Sequence, residues 1–557
     1  MSKYSEGIRY YLLVGGVGLL AAFVSIGLYL LYEEIWNFTQ HALAYSILLI
    51  APITLAALGI PYLLVKRFAK TKSTGSGTHL VLEAYHLKNG EISIEDTVVK
   101  PTAGMLTIGL GGSAGPEGPS LLAGGGVASA ISRRLKIQAD LRRTLFIAAA
   151  AAGLAATFRT PLTAILFALE IPYKNDLDRE TFIEAVVASV PAYLLSVAIL
   201  GSESIFGKIP AFNINLYVIG LSLLLGLICG LYSIFFVKSF LWTEKASFQL
   251  KKKFGSLGLI CIGASILSLS GFYSIYTISV GFNFTNAIIQ GTSFSVFVLI
   301  VIVLLKTLVT SVTLNFGGSG GLFFPTIVVG AGIGYIFAHF FDASYSVIFI
   351  AVGMAALLGG THKILLTPVA FVVETLGGLL AIPALLANVV SYVISGKYSF
   401  YPIQPRTRLK TEELALERFY LKAEKMVPEK LKSTLTSYVM TIEPVVLYQG
   451  TTVKDALNTF ERTSLRVLPV IDEVGHVTGV VNLEDIGYID IQKQSMTLSE
   501  TVMHVPIVVR EDISLEKAAQ LMMEKQQDHI FVVNAEGQLL GVISGIDVVK
   551  KIIELLS

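Results

Sequence analysis

Long apolar runs recur along the chain as far as Ile394, and several are long enough to cross a lipid bilayer, which takes a helix of about 20 mainly apolar residues. The runs span residues 10–32, 42–65, 183–200, 216–237, 257–276, 293–313, 322–341 and 365–394. Only 15% of the 557 residues are charged, against about 25% in a soluble globular domain. The sequence therefore predicts an integral membrane protein with several helical spans.

Two further stretches, residues 104–130 and 148–169, are rich in glycine, alanine, serine and proline. They predict short or broken helices buried among neighbours, and broken helices at membrane depth usually line a cavity. Basic clusters at 66–72 and 133–143 place those loops on the cytoplasmic side.

A single carboxylate, Glu117, stands in the segment Gly-Gly-Ser-Ala-Gly-Pro-Glu-Gly-Pro-Ser that begins at Gly111. An unpaired charge inside a membrane is costly, so Glu117 is the best clue to function. The loop opens onto a helix predicted from Ser120 to Arg134, whose exposed N–H groups and partial positive charge suit an anion. A carboxylate held there can leave when protonated and so act as a gate. A phosphate-cradling loop or a simple turn are the alternatives for this motif alone.

Other residues could donate hydrogen bonds to an anion. Ser76 lies in a Gly-Ser-Gly stretch, and Leu322 and Phe323 follow paired glycines at the start of an apolar helix. Tyr401 precedes the polar C-terminal part of the chain. Taken singly, these residues fit a flexible loop, an apolar core and an interfacial tyrosine equally well.

Beyond residue 434 the sequence contains two similar units of alternating strand and helix patterns. A duplication of this length predicts paired modules. The units resemble a tandem pair of CBS domains, a family whose clefts take adenine nucleotides. Ser544 and Asp547 match its ribose-binding Ser-x-x-Asp pair, whereas Asn482 and Asp485 match it only partly. The alternative is that Asp547 caps the following helix.

The membrane part resembles the CLC family of chloride channels and proton-coupled chloride exchangers. Four segments carry the resemblance: Gly75-Ser-Gly, Gly115-Pro-Glu-Gly-Pro, Gly320-Gly-Leu-Phe-Phe-Pro and Ser399-Phe-Tyr. It implies an all-α polytopic membrane domain over 1–405 with an inverted repeat and broken helices. A linker helix at 406–433 and cytoplasmic α/β CBS domains at 434–490 and 499–557 would follow. It also implies a homodimer with one pore per subunit, in the cell membrane, with both termini cytoplasmic.

The resemblance also assigns roles to individual residues. Glu117 would be the gate, Ser76 and Tyr401 would give hydroxyls to a central chloride, and Lys100 would raise the potential along the pore. Leu322 and Phe323 would give backbone N–H groups to the same ion. Lys100 could instead be an ordinary interfacial lysine that snorkels.

Several positions depart from the family pattern. The usual basic residue before the gate is Pro116, and a usual proline is His79. Pro119 stands where fluoride-specific relatives have threonine, so chloride is the expected ion. Ile171 replaces the glutamate that passes protons to the cytoplasm in many exchangers, and it follows the widely shared Glu170. We expect proton-coupled chloride exchange, with a passive chloride channel as the alternative.

Other functional classes are less well supported by the sequence. No pairing of nucleophile and base and no metal-ligand spacing is present, so we expect no enzyme, no metal site and no required cofactor. Neither the net charge of +2 nor the two cysteines indicate nucleic-acid binding or redox chemistry. A membrane-anchored nucleotide sensor is a third alternative, but an anchor needs no broken helices.

Overall fold

The computed structural model describes residues 7–202, 205–206, 214–407, 411–463, 465–483, 486, 496–498, 503–525 and 527–556. The chain divides into two compact units, Met1–Arg408 and Leu409–Ser557. The first unit is helical, and the second combines helices with two small sheets.

Apolar helices form most of the first unit. They are α1 (Ile8–Tyr45), α2 (Ile50–Phe68), α3 (Gly77–Leu87), α4 (Ile94–Gly109), α5 (Glu117–Arg134), α6 (Ala139–Phe158), α7 (Pro161–Glu170), α8 (Phe182–Leu200), α9 (Leu216–Tyr273), α10 (Phe282–Ile289), α11 (Val296–Asn315), α12 (Phe323–Phe341), α13 (Ser346–His362), α14 (Leu366–Leu376) and α15 (Ala381–Ile394). Two very short strands, β1 (Gly75–Ser76) and β2 (Ser319–Gly320), lie between them.

Eight apolar stretches of the described residues are long enough to cross a membrane, which confirms a multi-pass membrane protein. They differ in burial. About four-fifths of the best window in α12 is buried inside the unit, against about a third in the segment that contains α8. The buried helices thus form the centre, and the others surround them.

The predicted broken helices are confirmed. Residues 104–130 are interrupted between α4 and α5, and residues 148–169 are interrupted between α6 and α7. Other predicted runs differ in detail. The predicted run 365–394 contains two helices, because Gly377 (φ 123°) ends α14. The predicted runs 216–237 and 257–276 both belong to α9, which is interrupted at Gly255. Helix α13 was not among the predicted runs.

Helices α12 and α13 cross with their backbones in contact. A Cβ atom added to Gly353 would lie 2.3 Å from the carbonyl oxygen of Gly330. Only glycine permits this approach, a packing mode typical of membrane helices.

Helices α7 and α14 run antiparallel and cap each other. The Glu170 carboxylate at the end of α7 accepts backbone N–H bonds from Leu365, Leu366 and Thr367 (2.8–3.1 Å) and the Thr367 hydroxyl (2.6 Å). Glu374 near the end of α14 accepts, in the same way, the N–H groups of 162 and 163 at 2.9 and 2.7 Å. Each carboxylate thus meets the positive end of the other helix. This reciprocity is the local expression of the predicted inverted repeat.

The second unit begins with α16 (Thr411–Met426) and α17 (Pro428–Ser433) and then repeats a strand–helix–strand–strand pattern. Its first copy consists of β4 (Leu447–Tyr448), α18 (Val453–Thr463), β5 (Val467–Ile471) and β6 (Val477–Asn482). Its second copy consists of β7 (Val508–Arg510), α19 (Leu515–Lys525), β8 (His529–Val533), β9 (Leu539–Ser544) and α20 (Gly545–Leu556). In both copies the first two strands are parallel and the last two antiparallel, and β3 (Thr441–Ile442) adds to β9. The predicted duplication is confirmed.

Candidate functional site

Three glycine-rich segments, far apart in sequence, meet inside the first unit. Strands β1 and β2 pair in parallel, with Gly75 beside Ser319 and Ser76 beside Gly320. The N–H of Gly115 donates to the carbonyl oxygen of Gly321 at 2.9 Å. Backbone pairing therefore brings three of the four predicted segments to one place, directly before the first turns of α3, α5 and α12.

Glu117 lies at the centre of this junction and is completely buried. Its Oε1 accepts a 2.5 Å hydrogen bond from the backbone N–H of Phe323, the first residue of α12. Among the residues that the structure describes, Oε2 has no hydrogen-bond partner. The carboxylate therefore occupies the positive end of α12, where an anion is stabilised.

The local start of α5 differs from the prediction. The helix begins at Glu117, with Pro116 as its N-cap, three residues before the predicted start at Ser120. Proline is tolerated in a first helical turn, which needs no intrahelical donor there, so Pro119 does not delay the helix. As a result Glu117 is held by a helix and not by a loose loop.

Two glycines make room for the carboxylate. A Cβ atom on Gly115 would lie 2.0 Å from Oε2 of Glu117, and one on Gly321 would lie 2.0 Å from Oε1. Any other residue at either position would push the carboxylate out of its place.

Unpaired hydroxyls surround the same region. The Tyr401 ring is completely buried, and the hydroxyls of Ser76 and Thr78 approach its phenolic oxygen. Within the described part of the chain, none of these three oxygens makes a hydrogen bond. A buried hydroxyl without a partner costs about 1–3 kcal/mol, so their convergence indicates donors that serve a bound group.

Of the two backbone donors expected at α12, Phe323 bonds Glu117 as described above. Leu322 is the N-cap of α12, and its carbonyl accepts both the N–H (3.2 Å) and the hydroxyl (2.7 Å) of Thr326. The structure thus brings together Glu117, Ser76, Tyr401 and both backbone positions, and their roles toward chloride stay predictions.

Lys100 lies at a different point of the site. Its Nζ donates to the carbonyl oxygen of Ser73 at 2.9 Å, and it lines a cavity of about 210 Å³. Ser76 and His79 line the same cavity, together with the carboxylates of Glu83 and Glu244. The cavity therefore connects Lys100 to Ser76, but it carries both signs of charge.

Sequence reasoning missed a pair of histidines beside the site. The ring centroids of His79 and His362 lie 4.8 and 5.4 Å from that of Tyr401. His79 was noted only as a departure from the family pattern, and His362 ends α13, which was not predicted. For His362, the sequence offers one signal, a histidine at the end of an apolar run.

A glutamine joins His362 to the position of the missing inner carboxylate. The amide of Gln404 donates to the carbonyl oxygens of Ile171 (2.7 Å) and His362 (3.2 Å), and its oxygen accepts the Ser399 hydroxyl at 2.7 Å. The Ile171 side chain is buried. The backbones of these two positions are therefore neighbours.

In the second unit, Ser544 and Asp547 bond each other. Asp547 accepts from the Ser544 N–H (3.0 Å) and hydroxyl (2.5 Å), and its own N–H lies 3.3 Å from that hydroxyl, at the start of α20. This is a helix-capping arrangement, as the alternative predicted. Asp485 lies outside the described residues.

Cofactor or metal ligands are not grouped in the described part of the chain: no cluster of three or more histidine, cysteine, aspartate or glutamate side chains could hold a metal ion there. Cys229 and Cys261 are both free, the first buried and the second exposed.

Comparison with known proteins gives a consistent result. The family model described as "Voltage gated chloride channel" matches residues 53–396, and the CBS domain model matches 436–486 and 499–554. An uncharacterized protein of Methanocaldococcus jannaschii, MJ0305, is 28% identical over 318 residues, which are 57% of this chain and 79% of that protein. The H(+)/Cl(-) exchange transporter ClcA of Vibrio campbellii is 28% identical over 371 residues, 64% of this chain and 78% of that one.

Among solved structures, a eukaryotic CLC transporter aligns over 97% of this chain and 98% of its own, with a TM-score of 0.63 at 17% identity. At this identity the likeness shows a shared fold.

Proposed function

The chain belongs to the voltage-gated chloride channel (CLC) family, and we propose that it transports chloride across a membrane through a pore that Glu117 gates. One observation carries the proposal: a buried carboxylate takes a hydrogen bond from the N–H of Phe323, at the positive end of α12. A site that holds a carboxylate with backbone donors can hold a chloride in its place.

Protonation is the step that would exchange the two anions. An ionised Glu117 is attracted to the end of α12, and a proton removes that charge and most of the attraction. The freed position and the unpaired hydroxyls of Ser76 and Tyr401 then offer donors to chloride. These donors are neutral or carry partial charges, so the ion is held without being trapped.

We propose exchange of chloride for protons as the form of transport. The similar Vibrio campbellii protein is named an exchange transporter, and a titratable gate suits coupling because the gate carries a proton each time it opens. The second candidate is a passive voltage- or pH-gated channel. Ile171 favours it, because an isoleucine cannot pass a proton onward.

The remaining organisation follows as part of the proposal. Residues 1–405 would form the transport domain of a homodimer, 406–433 would couple it to the CBS domains at 434–490 and 499–557, and the latter would be cytoplasmic in a cell-membrane protein. Ser544 and Asp547 would bind an adenine nucleotide if they can exchange their capping bonds for a ribose. The membrane-anchored sensor is the weaker alternative.

The test is reconstitution of the full chain into liposomes with a chloride gradient, with both ions followed. Exchange predicts proton movement against its gradient, driven by chloride flux. Chloride flux without coupled proton movement would identify a channel, and no chloride flux would contradict the transport proposal itself.

A further inference from the structure

Two imidazoles lie beside Tyr401, and one of them also lines the cavity that contains Lys100. His362 is completely buried, and His79 lines the cavity of about 210 Å³. Both rings pack against Tyr401, and the ring centroid of His362 lies 6.2 Å from that of Phe323, whose N–H bonds Glu117. The two histidines and Tyr401 therefore form one continuous group beside the gate.

The partners of each ring fix where its proton lies. Nε2 of His79 is 2.9 Å from the carbonyl oxygen of Phe400, which can only accept, so Nε2 carries the hydrogen. Nδ1 of His362 is 2.9 Å from the hydroxyl of Thr361, whose own hydrogen goes to the carbonyl oxygen of Leu357 at 2.8 Å. Nδ1 of His362 therefore carries the hydrogen.

The other nitrogen of each ring is an unused acceptor. Nδ1 of His79 and Nε2 of His362 are buried and have no hydrogen-bond partner among the described residues. A buried lone pair without a partner is costly, and it is also the place where an imidazole takes up a proton. Two such lone pairs next to one tyrosine are hard to explain by packing alone.

We propose that His79 and His362 carry the proton between Glu117 and the cavity, in place of the carboxylate missing at Ile171. The Gln404 amide bonds the backbone carbonyl oxygens of both Ile171 and His362, so the backbone of His362 lies next to the backbone at position 171. The proposal rests on the exchange function inferred above.

The transfer is a simple proton relay. The protonated carboxyl of Glu117 releases its proton to a free imidazole lone pair, which leaves a carboxylate and an imidazolium. A proton taken up by His362 passes to His79, the ring that lines the cavity, and His79 releases it toward water there, so both rings return to the neutral form. No oxidant, reductant or leaving group takes part.

Charged groups of both signs surround the two rings. Glu117 on α5 reaches the group through Phe323, which bonds its carboxylate and lies beside His362. Glu83 and Glu244 line the cavity beside His79, with Lys100 as the opposing charge. Lys363, next to His362, is directed elsewhere: its Nζ donates to the Tyr392 carbonyl and the Ser395 hydroxyl. Glu170 is held by the N-terminus of α14.

A chloride at the central hydroxyls would favour a temporary imidazolium. A nearby anion favours the charged form of an imidazole, and by linkage the imidazolium favours chloride equally. The two transported ions would thus promote each other's presence in the middle of the pathway.

The experiment compares the wild-type protein with His362→Gln, His79→Gln and the double variant in liposomes, following chloride and proton flux together. Glutamine keeps a polar side chain but cannot relay a proton. We expect the proton-to-chloride ratio to fall at least about tenfold in the double variant, while chloride flux continues. Retained chloride flux also shows that the variants are folded.

His86→Gln is the matched control, because His86 is another buried histidine of α3 with a ring nitrogen 2.9 Å from a backbone carbonyl, that of Pro172. Its ratio should equal that of the wild type. An unchanged ratio in the double variant would overturn the relay while leaving exchange intact. A wild-type protein that moves chloride without protons would overturn both.

Discussion

Glu117 and Glu170 are both buried carboxylates at the positive end of another helix, yet they are held very differently. Glu170 accepts four hydrogen bonds, which use both of its oxygens. Among the described residues, Glu117 is bonded through one oxygen, by the N–H of Phe323. The first arrangement is typical of a fixed structural group. The second leaves a group that can depart at modest cost, which is what a gate requires.

The largest difference between the gate and a structural carboxylate is expected in proton coupling, when the gate loses its charge. Glu117→Gln keeps the shape of the side chain but cannot ionise, so it should reduce proton flux per chloride at least about 100-fold, while chloride flux continues. Parallel measurement of both fluxes in liposomes checks this. Glu374→Gln is the matched change at a structural helix end and should leave the ratio unaltered. Equal losses of coupling in both variants would show that the two kinds of carboxylate do not differ.

The free energy of unfolding should depend more on the structural carboxylate than on the gate. Glu374→Gln disturbs bonds to two backbone N–H groups and the Thr163 hydroxyl, so we expect it to lower the free energy of unfolding by about 2–3 kcal/mol. Glu117→Gln should lower it by less, because a single bond is affected. Thermal unfolding in detergent measures both changes. A larger loss for the gate variant would contradict the comparison.

A smaller effect is expected where a hydroxyl has no partner. Since the Tyr401 hydroxyl has no hydrogen-bond partner in the described part of the chain, Tyr401→Phe should change the free energy of unfolding by no more than about 0.5 kcal/mol, while chloride affinity falls about fivefold. Tyr392→Phe is the control, because the single hydrogen of the Tyr392 hydroxyl is shared between the Lys174 carbonyl oxygen and the Asn175 side-chain oxygen. That variant should lose stability and keep its chloride affinity. Calorimetric titration with chloride and thermal unfolding distinguish the two patterns.

The last prediction concerns a carboxylate of the second unit. Burial raises the pKa of Glu417 from 4.5 to about 7, and Arg418 opposes the shift. The folded state therefore holds a proton that the unfolded state has released, so stability should fall as pH rises from about 4.5 to about 7 and then level off. Unfolding temperatures of wild type and Glu417→Gln across this range test it. If the two pH profiles coincide, Glu417 does not contribute.

The parts of the fold that the sequence predicts well are those with a strong local pattern. Long apolar runs, the broken helices around Glu117 and the duplicated modules are all present. Helix α13 escaped the prediction although it is apolar. Its glycines and alanines pack against α12, and burial among neighbours makes the hydrophobic pattern uniform instead of periodic.

Prediction of the site from the sequence also depends on a strong local pattern. Glu117, Ser76 and Tyr401 could be found because each lies in a segment with a family pattern. His362 and Glu374 could not, because their significance arises only from partners more than 30 residues away, Tyr401 and Thr163. The predicted start of α5 at Ser120 is three residues late, because Pro119 lies in the first helical turn, which accepts proline.

The mutual capping of α7 and α14 limits how the protein can work. To separate these two helices, both carboxylates would have to lose their hydrogen-bond donors at the same moment, which would leave the buried Glu170 and the partly buried Glu374 unpaired. The contact between α7 and α14 is thus held by two capped helix ends, one on each helix. We therefore expect ions to pass by small movements of side chains, while α7 and α14 keep their relative positions.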